Sequence, residues 1–166
     1  MKILSLKQDD IDEIVFSFKA ISWHKPKTLY ENYLTEQVNN LRTVLIARQD
    51  EKFCGYVTIK WQSSYPGFYK QNIPEISDLN VLPCYRKQGI GSALIVACEE
   101  IVQDRGHAEI GIGVGMTADY GNAQRLYVQL GYIPDGCGLF YKCDTVHYGS
   151  NVIVDDDLLL WLVKKM

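Results

Sequence analysis

The stretch from Glu75 to Ala97, EISDLNVLPCYRKQGIGSALIVA, decides the fold. Ile76 to Val81 alternates apolar and polar residues and runs into Pro83, the pattern of a strand that ends in a turn. Gly89 and Gly91 then open a segment, Ser92 to Val102, with apolar residues at helical spacing. A strand that passes through a glycine turn into a helix leaves the first N–H groups of that helix without intrahelical partners. It also puts the positive end of the helix dipole above the turn. Such a junction takes an anion. Arg86 and Lys87 add two cations there, and Gln88, Gly89, Ile90, Gly91 and Ser92 supply backbone, so phosphate is the expected guest. A P-loop would end in Gly-Lys-Ser or Gly-Lys-Thr, and a dinucleotide fingerprint would need a third glycine where Leu94 stands; neither is present.

Working outward, 166 residues with nearly half of them apolar suit a single domain, 1–166, with a sizeable core. A net charge of −3, with no face-sized block of lysine and arginine, argues against general binding to nucleic acid or a membrane surface. The opening MKILSLKQDD lacks the apolar stretch of a signal peptide, and no run of about 18 apolar residues exists to span a bilayer, so a cytoplasmic protein is expected. The five cysteines are odd in number and form no C-x-x-C pair, which argues against disulfides and zinc. Cys54, Cys98 and Cys143 read as small core residues, and Cys84, in the turn before Arg86, as the more reactive thiol. His24, His107 and His147 lack metal-ligand spacing, and Asp155, Asp156 and Asp157 read as a solvated strand start, so no metal site is expected.

In chain order, Lys2–Leu6 reads as a strand, and Asp9 or Asp10 as the cap of a helix bearing Ile11, Ile14, Val15, Phe18 and Ile21. A second helix is expected from Lys27 to Asn40. Thr43–Arg48 and Cys54–Gln62 are β-rich runs joined by a polar connection, and SSYPGFYKQNIP after them reads as a loop. His107–Val114 reads as a strand with Gly111, Gly113 and Gly115 on one face, which leaves that face bare for either a close ligand or close packing. Ala123–Leu130 is a short helix closed by Gly131, Leu139–Cys143 a strand, Thr145–Val154 a loop and Asp157–Lys164 a closing strand. The order β-α-α-β-β-β-α-β-α-β-β gives an α/β (α+β) fold: a mixed, partly antiparallel sheet of about seven strands with helices on both faces.

The spacing Arg86-x-x-Gly89-x-Gly91 resembles the pyrophosphate-binding signature of the GNAT superfamily of N-acetyltransferases, and Ala123-Gln-Arg-Leu126-Tyr127-Val-Gln-Leu-Gly131-Tyr132 resembles its A-x-x-L-Y-x-x-x-G-[FY] segment. The element order is also that of the GNAT fold. The resemblance implies that acetyl-CoA binds as co-substrate, with its diphosphate at Arg86–Ser92, its pantetheine arm on the backbone of Leu79, Asn80 and Val81, and the Val81 N–H on the thioester carbonyl. Where relatives carry an asparagine three residues before the alanine, this chain has Tyr120. Asn122, two positions on, is the nearest substitute contact or else a helix cap.

The reaction so implied is attack of an amine on the thioester. An alkyl amine with a pKa near ~10.4 is mostly protonated at neutrality, so a base must take a proton. Glu75, eleven positions before Arg86, has the offset of the base in the histone-acetylating branch, and Asp78 is its rival. Tyr127 stands where many members carry the general acid for the departing thiolate. Trp23, His24, Tyr30, Tyr33, Tyr65, Phe68 and Tyr69 fall in segments that wall the acceptor side in relatives. With Glu75, Asp78 and Asp119 they would form an aromatic, acidic pocket for a cationic amine, or alternatively a homodimer surface. The main expectation is acetylation of a small-molecule amine. A protein or peptide amine acetylase and a non-catalytic acyl-CoA-binding module are the alternatives.

Overall fold

The computed structural model describes residues 1–166. Its strands are β1 (Lys2–Ser5), β2 (Arg42–Gln49), β3 (Lys52–Lys60), β4 (Glu75–Val81), β5 (Glu109–Gly115), β6 (Ile133–Tyr141), β7 (Asp144–Thr145) and β8 (Leu158–Lys165), hydrogen-bonded in the order β1-β2-β3-β4-β5-β8-β6-β7. Its helices are α1 (Ile11–Ala20), α2 (Lys27–Val38), α3 (Pro66–Tyr69), α4 (Ile90–Asp104) and α5 (Gly121–Gln129). The β4–β5 pair is parallel and every pair around β1–β2, β2–β3, β5–β8, β8–β6 and β6–β7 is antiparallel. This is the mixed sheet the sequence implies, with an eighth strand added by the two residues of β7. No helix is long and apolar enough to cross a membrane.

The chain falls into two compact units, Met1–Trp61 with Ser77–Ile101, and Gln62–Ile76 with Val102–Met166. In the first, α1 presents Ile11, Ile14 and Phe18 on one stripe to a core completed by Leu6, Tyr30, Val44, Ile46, Phe53, Tyr56 and Leu82. The α1 start is held from outside the helix: Arg48 reaches Asp10 at 2.7 Å and Glu13 at 2.7 Å, and Glu13 accepts the Phe53 N–H at 3.0 Å. Asp10 does not cap α1 with its side chain but accepts the Lys7 N–H at 2.8 Å. The second helix stops at Val38, two residues short of the expected end, because Asn40 turns left-handed at φ 57°.

In the second unit Tyr65, Phe68, Ile73, Phe140 and Trp161 form the core, with Tyr65 stacked on Trp161 at 4.4 Å between ring centroids. The expected loop 63–74 carries the short helix α3, whose Phe68 enters this core. The glycine face of β5 is not bare. A Cβ on Gly111 would lie 2.1 Å from the Phe68 ring, one on Gly113 2.9 Å from Trp161, and one on Gly115 2.5 Å from Tyr120. The glycines are there to admit aromatic rings. Gly111→Ala is therefore expected to destabilise by about 1–3 kcal/mol through overpacking, read as a lowered urea midpoint; an unchanged midpoint would show slack around Phe68.

Strand β6 begins six residues earlier than the sequence suggests, with its register to β8 broken between Pro134 and Leu139. Gly136 and Gly138, both left-handed at φ 86° and 79°, disguise the first half as a turn. Cys54 and Cys98 are buried as expected, but Cys143 is exposed, because it forms with Lys142 the left-handed turn into β7. No group of three or more His, Cys, Asp or Glu side chains is placed to hold a metal. Asp155 instead accepts the Tyr141 hydroxyl at 3.2 Å, and Asp156 the Tyr120 hydroxyl at 3.0 Å.

Candidate active site

In the first unit the chain leaves β4 through a 3-10 turn, Pro83–Tyr85, in which the Tyr85 N–H donates to the Leu82 carbonyl at 2.9 Å. Lys87 (φ 58°) and Gly89 (φ 80°) then bend the backbone left-handed into α4. A Cβ on Gly89 would meet nothing within 4 Å, so the glycine answers to backbone angle and not to space; an L-residue there costs about 1–2 kcal/mol. The first helical bond runs from the Ala93 N–H to the Gly89 carbonyl at 3.0 Å. The N–H groups of Ile90, Gly91 and Ser92 thus stand in the first turn, where no intrahelical acceptor exists. Buried Ile90 anchors this end of α4, while Arg86, Lys87 and Gln88 stay exposed. Arg86 Nε donates to the Val81 carbonyl at 3.1 Å, and Gln88 Nε2 to the Cys84 carbonyl at 3.1 Å.

Strand β4 carries one irregular backbone position. Asp78 sits at φ 52°, a conformation non-glycine residues rarely adopt, and its carboxylate is surrounded by donors. Oδ1 accepts Lys25 Nζ at 3.0 Å and Asn80 Nδ2 at 2.7 Å, while Oδ2 accepts the Tyr33 hydroxyl at 2.9 Å and the Tyr56 hydroxyl. A carboxylate offers about four lone-pair sites, and here all are taken. Burial pushes the Asp78 pKa up, but the charge of Lys25 and the hydrogen bonds from Tyr56, Lys25 and Tyr33 outweigh it and hold the group below the ordinary carboxylate range. A carboxylate so held is a weak acceptor for a further proton. Asp78 is the hub that ties Lys25 of the α1–α2 loop, Tyr33 of α2 and Tyr56 of β3 to β4. Asn80 spends its side chain on this hub, and a Cβ on Gly55 would lie 2.4 Å from the Asn80 carbonyl, so β3 packs directly on the β4 backbone. Leu79 and Val81 are half-buried.

In the second unit Glu75, the first residue of β4, pairs with Gly111 and is 5 % exposed. Its Oε2 accepts the Ser63 hydroxyl at 2.6 Å, and Ser63 Oγ in turn accepts the Tyr65 N–H at 3.0 Å. Ser63 also lines an open cleft of about 450 Å³ with Gln62, Ser64, Pro66, Tyr69 and Lys70. Tyr127 lies on the buried side of α5, its ring 6.3 Å from Tyr132. Burial raises its pKa well above the ordinary tyrosine value, so the hydroxyl keeps its proton through the neutral range. The helix is closed as expected: Gly131 is left-handed at φ 90°, and the Tyr132 N–H donates to the Tyr127 carbonyl at 3.0 Å. Asn122 is not its cap, because α5 starts one residue earlier and Tyr120 takes the N-cap position.

The aromatic set divides. Tyr30, Tyr65 and Phe68 are fully buried core residues, Tyr30 edge-on to Tyr33 and Tyr56, so they do not line an acceptor surface. Tyr33 is half-buried, its hydroxyl on Asp78 and its ring under the Arg42 guanidinium at 4.3 Å. Trp23 and His24 are exposed in the first unit, Tyr69 and Asp119 in the second. Sequence reasoning missed Lys25, Tyr56 and Ser63. The one signal for Tyr56 was a phenol in the apolar strand FCGYVTIK, since a buried hydroxyl needs a partner.

Residues 9–132 match the model of the Acetyltransferase (GNAT) family. No curated protein matches the sequence significantly. Among solved structures, the chain is similar to a ribosomal-protein-alanine N-acetyltransferase from Brucella melitensis (TM-score 0.73, 18 % identity, 100 % of each chain covered). It is also similar to yncA from Salmonella typhimurium, solved with its cofactor acetyl-CoA (TM-score 0.70, 17 % identity, 99 % of this chain and 92 % of that one). A third is an aminoglycoside 6'-N-acetyltransferase complexed with coenzyme A (TM-score 0.66, 17 % identity, 99 % and 97 %). At these identities the likeness speaks for the fold.

Proposed function

Because the chain belongs to the GNAT acetyltransferase family, we propose that residues 1–166 act as one N-acetyltransferase domain that moves an acetyl group from acetyl-CoA to a primary amine of a small molecule. The observation that carries the reading is the turn after β4: first-turn N–H groups at Ile90, Gly91 and Ser92, a left-handed Gly89, and exposed Arg86 and Lys87 beside them. That donor set fits a diphosphate, which wants backbone N–H groups and a guanidinium fork together. Arg86, Lys87, Gln88, Gly89, Ile90, Gly91 and Ser92 hold the diphosphate, and the backbone of Leu79, Asn80 and Val81 holds the pantetheine arm. When bound, acetyl-CoA supplies an acetyl group activated as a thioester.

The side chains then divide the proton work. Glu75 takes the proton of the incoming ammonium, and its acceptance of the Ser63 hydroxyl fixes the orientation of the carboxylate. Tyr127 keeps its proton at neutral pH and gives it to the departing thiolate. Trp23, His24, Tyr69 and Asp119 are the remaining acceptor-side candidates, Asn122 a remaining cofactor contact. The test is thiol release from acetyl-CoA against a panel of small amines, amino-terminal peptides and lysine peptides. Small amines are expected to be turned over fastest, and Tyr127→Phe is expected to lower kcat at least tenfold. Failure of every amine in the panel to provoke release would remove the enzyme reading, and an unchanged rate in Tyr127→Phe would remove Tyr127 as the acid.

A further inference from the structure

Arg86 is a long, exposed side chain, and a diphosphate gains most from it when the guanidinium is already in place. Two contacts within the first unit hold it. Nε is spent on the Val81 carbonyl at 3.1 Å, which leaves the four N–H groups of the two Nη atoms for other acceptors. The guanidinium carbon lies over the Trp23 ring, 5.5 Å from its centroid, within cation–π range. Trp23 is itself held: its ring stacks on fully buried Phe18 at 5.8 Å and 8°, and its backbone N–H donates to the Phe18 carbonyl at 3.0 Å. The loop that carries it, 21–26, passes through a left-handed Ser22 (φ 60°) and is pinned again at Lys25, whose Nζ reaches the Tyr56 hydroxyl at 2.8 Å and Asp78 at 3.0 Å.

We propose that Trp23 is a positioning residue for the cofactor: its ring, backed by Phe18, fixes Arg86 with both Nη atoms presented to the diphosphate, and so couples the α1–α2 loop to occupancy of the turn. The inference rests on the reading of residues 86–92 as the diphosphate site. It gives Trp23 a different part from the acceptor contact expected of it, and by linkage it is reciprocal: whatever the diphosphate gains from a fixed Arg86, loop 21–26 gains in order when the diphosphate binds.

Calorimetric titration of the intact protein with coenzyme A and, separately, with pantetheine, which lacks the diphosphate, tests it. Arg86→Ala is expected to raise the coenzyme A Kd about tenfold. Trp23→Leu should raise it about two- to fivefold, the range of an exposed cation–π contact, and Trp23→Phe by less. Neither Trp23 variant should change pantetheine affinity, which a general loss of structure would lower. In the Arg86→Ala background, Trp23→Leu should add nothing further, because its effect passes through the guanidinium. If Trp23→Leu leaves the coenzyme A Kd unchanged while Arg86→Ala weakens it, or if the two effects simply add, the positioning role is wrong and the diphosphate site stands. If Arg86→Ala changes nothing either, the diphosphate site falls and the positioning role with it.

Discussion

Glu75→Gln is expected to lower kcat about a hundredfold or more while leaving coenzyme A affinity intact, the range general-base removal commonly shows. The substitution keeps the volume and one carbonyl oxygen, so the Ser63 hydroxyl retains an acceptor in place of Oε2. What disappears is the capacity to take a proton. An alkyl ammonium with a pKa near ~10.4 has a minute neutral fraction at pH 7, so the variant should recover part of its rate as the pH approaches 10 and the acceptor deprotonates unaided. Steady-state rates from pH 6 to 10 check both halves. A variant as fast as the parent at pH 7 would take the base role away from Glu75.

Asp78→Ala should be the most damaging single change to stability, by about 3 kcal/mol or more. It strands Lys25, whose side chain is only 20 % exposed, and removes the acceptor from two tyrosine hydroxyls in the α2 and β3 walls. It also releases the interaction that pays for a left-handed aspartate in mid-strand. Asp78→Asn is nearly isosteric but brings an amide donor into a shell of donors, so it too should destabilise substantially, which separates lost charge from lost volume. The pH dependence has a definite sign. Because the folded pKa lies below the unfolded one of about 3.9, the stabilisation from this carboxylate is fully present above that value. It drains away as the pH falls through the lower, folded value. Urea midpoints at pH 7 and pH 3 should therefore differ less in Asp78→Ala than in the parent; equal acid sensitivity would show that Asp78 does not carry this term.

Much of this was legible in the chain because it is local. The strand, turn and helix within 75–104 follow from alternation, Pro83, two glycines and helical spacing within thirty residues, and the short helix read over 123–130 and found over 121–129 from its closing Gly131. What could not be read depends on partners far apart in sequence. Asp78 meets Lys25, Tyr33 and Tyr56 across 53, 45 and 22 positions, and nothing in its neighbourhood distinguishes a hub from a free carboxylate. The glycines of β5 posed the same difficulty. Their alternation announced that something comes close, but only the fold shows that it is Phe68, Trp161 and Tyr120. Tyr30, Tyr65 and Phe68 misled for the converse reason, since composition marks aromatic loops and helices without saying which rings turn inward. Strand β6 was half-hidden because Pro134, Gly136 and Gly138 are turn formers placed inside a strand with a broken register.

The claim on which the rest depends is that the turn of Arg86 to Ser92 grips a diphosphate. Calorimetric comparison of coenzyme A with pantetheine on the unmodified protein tests it most directly, because the two share the arm and differ in the phosphates and nucleoside. Coenzyme A should bind at least ~10-fold more tightly, with the advantage shrinking as salt is raised from 50 to 500 mM, as contacts from exposed cations require. Equal affinities for the two compounds at 50 mM salt would contradict it.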